Sequence, residues 1–530
     1  MTGRAAPSTI PEHFAEAVAR VPERVALQYF DGVLTYRNLD ALVVGLASHF
    51  IGSGLVAGDR IAVKLQSSPH FVVTVLAAWR IGCVVVPINP MYRRAEVEGL
   101  LVDCSTRAVV CSHEAYVDAV KGIAVDHPGL VVLTTDERDF QTRNDGRAFG
   151  PVHDFSPDEL SGAEDLIEVA SSGARVPARL PSFATIALIC YTSGTSGPPK
   201  GAILTHGNLA VDIESTAGWL GLGDGARIFA MAPLFHVTGL VVEFAQSIAL
   251  AGTLILPYRF APAVAIELFA QHRPKFTVGP PTAYMALMAI GDTADAFASF
   301  EVILSGGAPL PPAVVDEFER RFGLYIVNGY GLTETSAACV LMPIGTRAPV
   351  DDSTTALANG LPMPGVELRI VDADGIDVPD GQKGEIVVRG AVVSPGYWKR
   401  PVETAAAFRD GWFRTGDVGV FGEGRLLYVV DRMKDMIIAS GFKVWPGEVE
   451  QVLYSHSAVR EAAVVGVADE YRGESVKAFV VVDPAAGVRS DDLVVWCRKN
   501  LAAFKVPREI EVIGELPKTA SGKILRRALK

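Results

Sequence analysis

The stretch Cys190-Tyr191-Thr192-Ser193-Gly194-Thr195-Ser196-Gly197-Pro198-Pro199-Lys200-Gly201 gathers hydroxyls, glycines and a lysine directly behind the apolar run Ile186-Ala187-Leu188-Ile189. The apolar run reads as a buried strand. Glycines let backbone N–H groups approach a polyphosphate, hydroxyls donate to its oxygens, and lysine adds a point charge. The pattern predicts a phosphate-holding loop. It is not a Walker A loop, because Lys200 stands between Pro199 and Gly201 instead of ending G-x-x-x-x-G-K-[ST].

Four further groups follow in order: Asn328-Gly329-Tyr330-Gly331-Leu332-Thr333-Glu334-Thr335, Gly411 to Asp417, Asp431 to Asp435, and Pro517 to Lys523. Together with the loop they resemble the acyl-adenylate-forming superfamily, which includes acyl-CoA synthetases, peptide-synthetase adenylation domains and firefly luciferase. The resemblance covers nearly the whole chain. It implies attack of a carboxylate on the α-phosphorus of ATP, release of pyrophosphate, and transfer of the acyl group to a thiol. Such a displacement needs positioning and charge neutralisation above all.

The resemblance implies a role for each group. Thr192, Ser193, Gly194, Thr195, Ser196, Gly197 and Lys200 would clamp the β- and γ-phosphates. Glu334 would hold Mg2+, since a carboxylate beside phosphates needs a cation between them. Tyr330 would stack on adenine, flanked by Asn328, Gly329 and Gly331, and Thr333 would donate to the α-phosphate. The loop at Gly307, Ala308 and Pro309 would form the other adenine wall. Asp417 would accept the ribose hydroxyls, with Arg432 on ribose or phosphate and Lys434 as the hinge. Lys523 would bridge the carboxylate and the α-phosphate. His236 stands where the family has an aromatic gate before the acyl pocket. Gly441, Phe442 and Lys443 resemble the loop along the pantetheine tunnel, although Ile438 stands where many relatives carry a lysine; Arg472 is a weaker match for the CoA phosphates.

Neither Phe235 to Thr238 nor Val278 to Thr282 carries a charge. An unpaired buried charge is costly, so this pocket favours an uncharged tail. The expected reaction is ATP-dependent carboxylate–CoA ligation through an acyl-AMP, on medium-chain fatty or aromatic acids. Two alternatives stay open: an acyl-AMP ligase loading a separate carrier protein, and an inactive binding protein that keeps the fold. A luciferase-like oxygenase shares the first step, but nothing in the sequence demands one.

The elements that must position these groups alternate. Arg60 to Leu65, Val84 to Val86 and Ala108 to Cys111 read as strands, and Phe71 to Trp79 and Arg93 to Leu101 as helices, which predicts an α/β layer with a largely parallel sheet. Residues 136–181, rich in Asp, Ser, Gly and Pro, read as a surface connection. Beyond Pro364 short β-type segments predict a small β-rich subdomain, and beyond Arg432 a separate α+β unit follows. The expected organisation is an α/β adenylation domain over 1–431, a hinge over 432–434 and a small mobile α+β lid over 435–530.

The chain has 530 residues, 49% of them apolar, and a net charge of −12. That composition argues for a folded, multidomain protein and against sequence-independent binding to nucleic acid or anionic membrane. Six scattered cysteines form no C-x-x-C pair and read as reduced thiols of a cytoplasmic protein. Charged residues interrupt the most apolar stretches, so no integral membrane segment is expected. The expected partners are the acid, ATP and CoA, and a homodimer is left open.

Overall fold

The computed structural model describes residues 8–151, 153–171, 179–192, 199–291, 293–351, 354–439, 442–469, 473–519 and 522–530. Two sheets carry the large N-terminal part. One has seven strands in the order Glu164–Asp165, Val131–Thr135, Ala108–Ser112, Arg60–Lys64, Val84–Pro87, Ile186–Tyr191, Gly201–Thr205. All neighbours run parallel except the last pair. The other has nine strands, parallel through its centre, where Phe276–Gly279, Val302–Ser305 and Ile326–Tyr330 lie side by side.

Strands buried on both faces need continuous apolar runs, and these have them. The helix Pro69–Arg80 is likewise buried on every side up to Arg80, because its sequence PHFVVTVLAAWR offers no polar face. Pro69 sits in its first turn, where a missing N–H costs nothing. Arg80 closes the last turn and reaches Asp40 at 3.3 Å.

The parallel strands end at a common crevice. Tyr191, Gly279, Ser305 and Tyr330 are the final residues of their strands, and Tyr191, Ser305 and Tyr330 line one cleft of about 1540 Å³. Open α/β sheets place ligands at the carboxyl ends of their strands for this reason: the loops there are free to carry chemistry.

Residues 136–181 are not merely a surface connection. They supply the edge strand Glu164–Asp165 and the short helices Gly146–Phe149 and Leu166–Ala170. Phe149 stacks on Tyr258 at 4.8 Å, and Leu166 is fully buried. The segment has no apolar run; single apolar residues spaced far apart do the packing.

The β-rich sheet is antiparallel: Val366–Val371, Gly384–Gly390, Trp412–Phe421 and Phe408–Arg409 in order, with Leu427–Arg432 alongside Trp412–Phe421. The next strand, Ile437–Ala439, belongs to a different five-stranded sheet. That small C-terminal sheet packs helices Pro446–Tyr454 and Ser490–Asn500 around its own core of Val449, Leu453, Val464, Val480 and Leu493. Among the described residues no helix is long and apolar enough to cross a membrane. All six cysteines are free and buried.

Candidate active site

Antiparallel pairing sets Asp417 directly opposite Arg432 across two strands of the β-rich sheet. The Arg432 Nε lies 3.4 Å from Asp417 Oδ1, and the Tyr330 hydroxyl donates to Asp417 Oδ2 at 2.7 Å. Burial raises the Asp417 carboxyl, and the Arg432 charge with the Tyr330 hydrogen bond pulls the other way. One strand end and two sheet residues thus make a single polar wall of the cleft.

Tyr330 leads into a tight turn at Thr333–Thr335 that carries Glu334. The turn needs Gly331: a Cβ there would stand 1.6 Å from the Ala337 carbonyl oxygen. Glu334 Oε1 accepts the Tyr397 hydroxyl at 2.7 Å, and the Lys200 ammonium lies 5.2 Å from the centre of the Tyr397 ring. Burial, then the neighbouring Glu334 charge, pushes the Tyr397 hydroxyl well above its usual range. Tyr397 is a site residue that sequence reasoning missed. Its only signal is an aromatic pair behind Pro395-Gly396.

Lys523 enters the cleft from the C-terminal part. It stands against Gly307, where a Cβ would lie 3.0 Å from Lys523 Cε and 3.4 Å from Nζ. Gly307 has φ +81°, so the backbone turn and the lysine both exclude a side chain there. The Gly522 carbonyl accepts the Thr282 hydroxyl at 3.0 Å, and the Lys523 N–H donates to Thr519 Oγ1 at 3.1 Å. Enclosure, then the Arg432 charge, brings the Lys523 ammonium down to about 8, against the pull of Asp417 and Glu334.

His236 lines the same cleft. Its Nδ1 accepts the Thr238 N–H at 3.3 Å, which leaves the ring proton on Nε2. Burial, then the Lys523 charge, lowers it to about 3, so the ring is neutral at physiological pH.

Thr192, Lys200, Ala308, Pro309, Asn328, Gly329, Thr333 and Lys434 also line the cleft. The Thr192 N–H donates to the Lys200 carbonyl at 2.9 Å, which closes the base of the predicted phosphate loop. The loop residues Ser193, Gly194, Thr195, Ser196 and Gly197, together with Gly441 and Arg472, lie outside the described residues. Phe442 and Lys443 are not brought to the cleft. They sit exposed on the C-terminal sheet, where Phe442 stacks on Phe504 at 4.8 Å.

Arg526 is a second residue the sequence did not single out. Its guanidinium bonds Glu450 at 2.6 and 3.0 Å and reaches Asp431 and Asp435 at 3.4 Å. It ties the C-terminal part to the strand that ends at Arg432.

Among the described residues no cluster of three His, Cys, Asp or Glu stands ready to hold a metal. A single cleft carboxylate such as Glu334 still fits Mg2+, which binds one or two carboxylates together with substrate phosphates and water.

The model of the AMP-binding enzyme family matches residues 14–398, and that of the AMP-binding enzyme C-terminal domain matches 448–523. The chain belongs to the AMP-binding enzyme family. A long-chain-fatty-acid–CoA ligase of Bacillus subtilis (strain 168) is 33% identical over 539 residues, covering 98% of this chain and 94% of the relative. A feruloyl-CoA synthase of Amycolatopsis sp. is 34% identical over 506 residues, covering 95% of each. The structure of the anthranilate CoA ligase AuaEII in complex with anthranoyl-AMP superposes with a TM-score of 0.87 at 25% identity, covering 99% of this chain and 97% of that one. Within the family this chain falls in the acyl-CoA synthetase branch, AMP-forming acid–thiol ligases that use ATP with Mg2+ and CoA.

Proposed function

We propose that this ligase activates monocarboxylic acids with uncharged tails, medium-chain fatty or aromatic, and passes the acyl group to free CoA. The observation that carries the reading is Lys523, held in the cleft against Gly307 and close enough to His236 to depress its basicity. A cation there stands where a carboxylate and an α-phosphate would crowd negative charge. Apolar residues of the same cleft, among them Val237, Val242, Val278, Met285 and Leu304, suit an uncharged tail. Relatives named for long-chain fatty acids and for ferulate support both kinds of tail.

In this reading Asp417 accepts the ribose hydroxyls, Tyr330 packs on adenine with its hydroxyl held by Asp417, and Arg432 faces ribose or phosphate. Thr333 and Lys200 donate to the phosphates. Glu334, oriented by Tyr397, holds Mg2+, which when bound neutralises the phosphate charge. His236, neutral and fixed by Thr238, forms the gate between the reacting carboxylate and its tail. The large domain runs over 1–431, residues 432–434 are the hinge, and 435–530 form the lid, which turns to bring Gly441, Phe442 and Lys443 to the cleft for thioester formation. Six buried free thiols support a cytoplasmic site of action.

The test is pyrophosphate release over a panel of fatty, aromatic, dicarboxylic and amino acids, with CoA or a carrier protein as acceptor. Release with uncharged monocarboxylates and thioester on CoA is the expected result. Preference for dicarboxylic or amino acids, or transfer to carrier alone, would overturn it.

A further inference from the structure

Glu243 is fully buried, yet none of the roles above uses it. It lies on a π-helical segment, Thr238–Ala245. Such segments are rare and mark places where a helix turns a residue out of register, frequently at functional sites. Here Val242 lines the cleft, while Glu243 turns the other way into the nine-stranded sheet.

The sheet is split at that point. Strands Arg227–Phe229 and Phe276–Gly279 are neighbours, but their ladder has a single register pair, Ile228 with Phe276. Past it, Glu243 Oε1 takes the place of a ladder acceptor. It accepts the N–H groups of Met231 at 3.1 Å, Ala232 at 3.4 Å and Val278 at 3.1 Å, and the Thr277 hydroxyl at 3.4 Å. Each of the two chains so joined carries on into the cleft wall. Met231 and Ala232 lead to Phe235, His236 and Val237; Val278 itself lines the cleft and leads to Pro281 and Thr282. Met231 also lies over Gly279, where a Cβ would stand 2.5 Å from Met231 Cε.

We propose that Glu243 is a positioning residue for the acid: its carboxyl bridges the gap between these strands and fixes the width of the acyl pocket, and with it the choice of acyl tail. The proposal rests on the reading that the acid's tail lies among Val237, Val242 and Val278. Burial pushes the Glu243 carboxyl well above its usual range, against its backbone donors, so the working form is a neutral acid whose oxygen accepts. An amide keeps that acceptor; a thioether of similar length does not, and strands three N–H groups.

The experiment compares Glu243→Gln and Glu243→Met over the acid panel, reading KM for acid and KM for ATP separately. Glu243→Met should raise KM for the preferred acid by about tenfold or more and change the order of preferred tails, with KM for ATP unchanged. Glu243→Gln should keep the wild-type order. Unaltered acid preference in a folded Glu243→Met, or equal damage from Glu243→Gln, would overturn the proposal. If Glu243→Met fails to fold, Thr277→Ala decides. A rise of about threefold in KM for acid, with KM for ATP constant, supports the proposal; no change overturns it. A wild-type enzyme active only on charged-tail acids would sink the reading of the pocket and this proposal together, whereas normal wild-type selectivity with an indifferent Glu243→Met sinks this proposal alone.

Discussion

Lys523 serves the adenylation step only while it is charged, and its surroundings decide when that is. Enclosure and Arg432 bring it to about 8 in the free enzyme. As pH rises through that value the ammonium loses its proton, so kcat/KM for pyrophosphate release should fall on an alkaline limb near pH 8. Bound phosphates favour the charged form, so the limb in kcat should lie at higher pH. Lys523→Ala should be slow at every pH and lack the limb. A wild-type profile flat across this range would remove Lys523 from the chemistry. His236, lowered to about 3, should contribute no acid limb. The Glu334–Tyr397 pair yields a second prediction. Tyr397→Phe removes one hydrogen bond to a carboxylate, an interaction of about 1.5–3 kcal/mol, so Glu334 should hold magnesium less well. Titration of activity with magnesium should show a higher requirement in Tyr397→Phe and a still higher one in Glu334→Gln. Unchanged magnesium curves in both would take the metal role from Glu334.

At the scale of elements, the loop at Gly307 joins strand Val302–Ser305 to the lysine that comes from the far end of the chain. Gly307→Ala puts a methyl 3.0 Å from Lys523 Cε and strains a left-handed backbone. Adenylation should drop by about tenfold or more, while conversion of supplied acyl-AMP to acyl-CoA is spared. Assay of the two half-reactions checks this, and equal loss in both would argue for general misfolding. Much of the scaffold behind this loop was legible in the sequence: the buried strands announce themselves as apolar runs, and Gly and Pro mark where they stop. Tyr397, Arg526 and Glu243 were not legible. Tyr397 meets Glu334 across 63 positions, and Arg526 meets Glu450 across 76. No local pattern encodes such pairs, and a lone tyrosine or arginine is ordinarily a surface residue. Residues 136–181 misled for a related reason: Phe149 and Leu166 pack one at a time, and periodicity detects only runs.

At the scale of the whole molecule, one small C-terminal part has two sets of functional groups and one cleft to serve. Lys523 stands inside the cleft, while Phe442 and Lys443 face away from it on the same sheet-and-helix unit. Both cannot act from one orientation, so the unit must turn between the two half-reactions. Arg526, bonded to Glu450 and reaching Asp431, holds the Lys523-in orientation. The turn must be absorbed between Arg432, where the β-rich sheet ends, and Ile437, where the C-terminal sheet begins. Lys434 is the midpoint of the short turn Met433–Asp435 there. Lys434→Pro fixes φ and removes an N–H, so it should restrict the rotation. Because the orientation described here already places Lys523 in the cleft, the variant should keep much of its acyl-AMP formation and lose thioester formation. Lys523→Ala should show the opposite bias. Pyrophosphate release without CoA measures the first step, and conversion of supplied acyl-AMP by CoA measures the second. Opposite losses in the two variants are the signature of a rotating lid with its pivot at Lys434; equal loss of both steps in both variants is incompatible with two orientations.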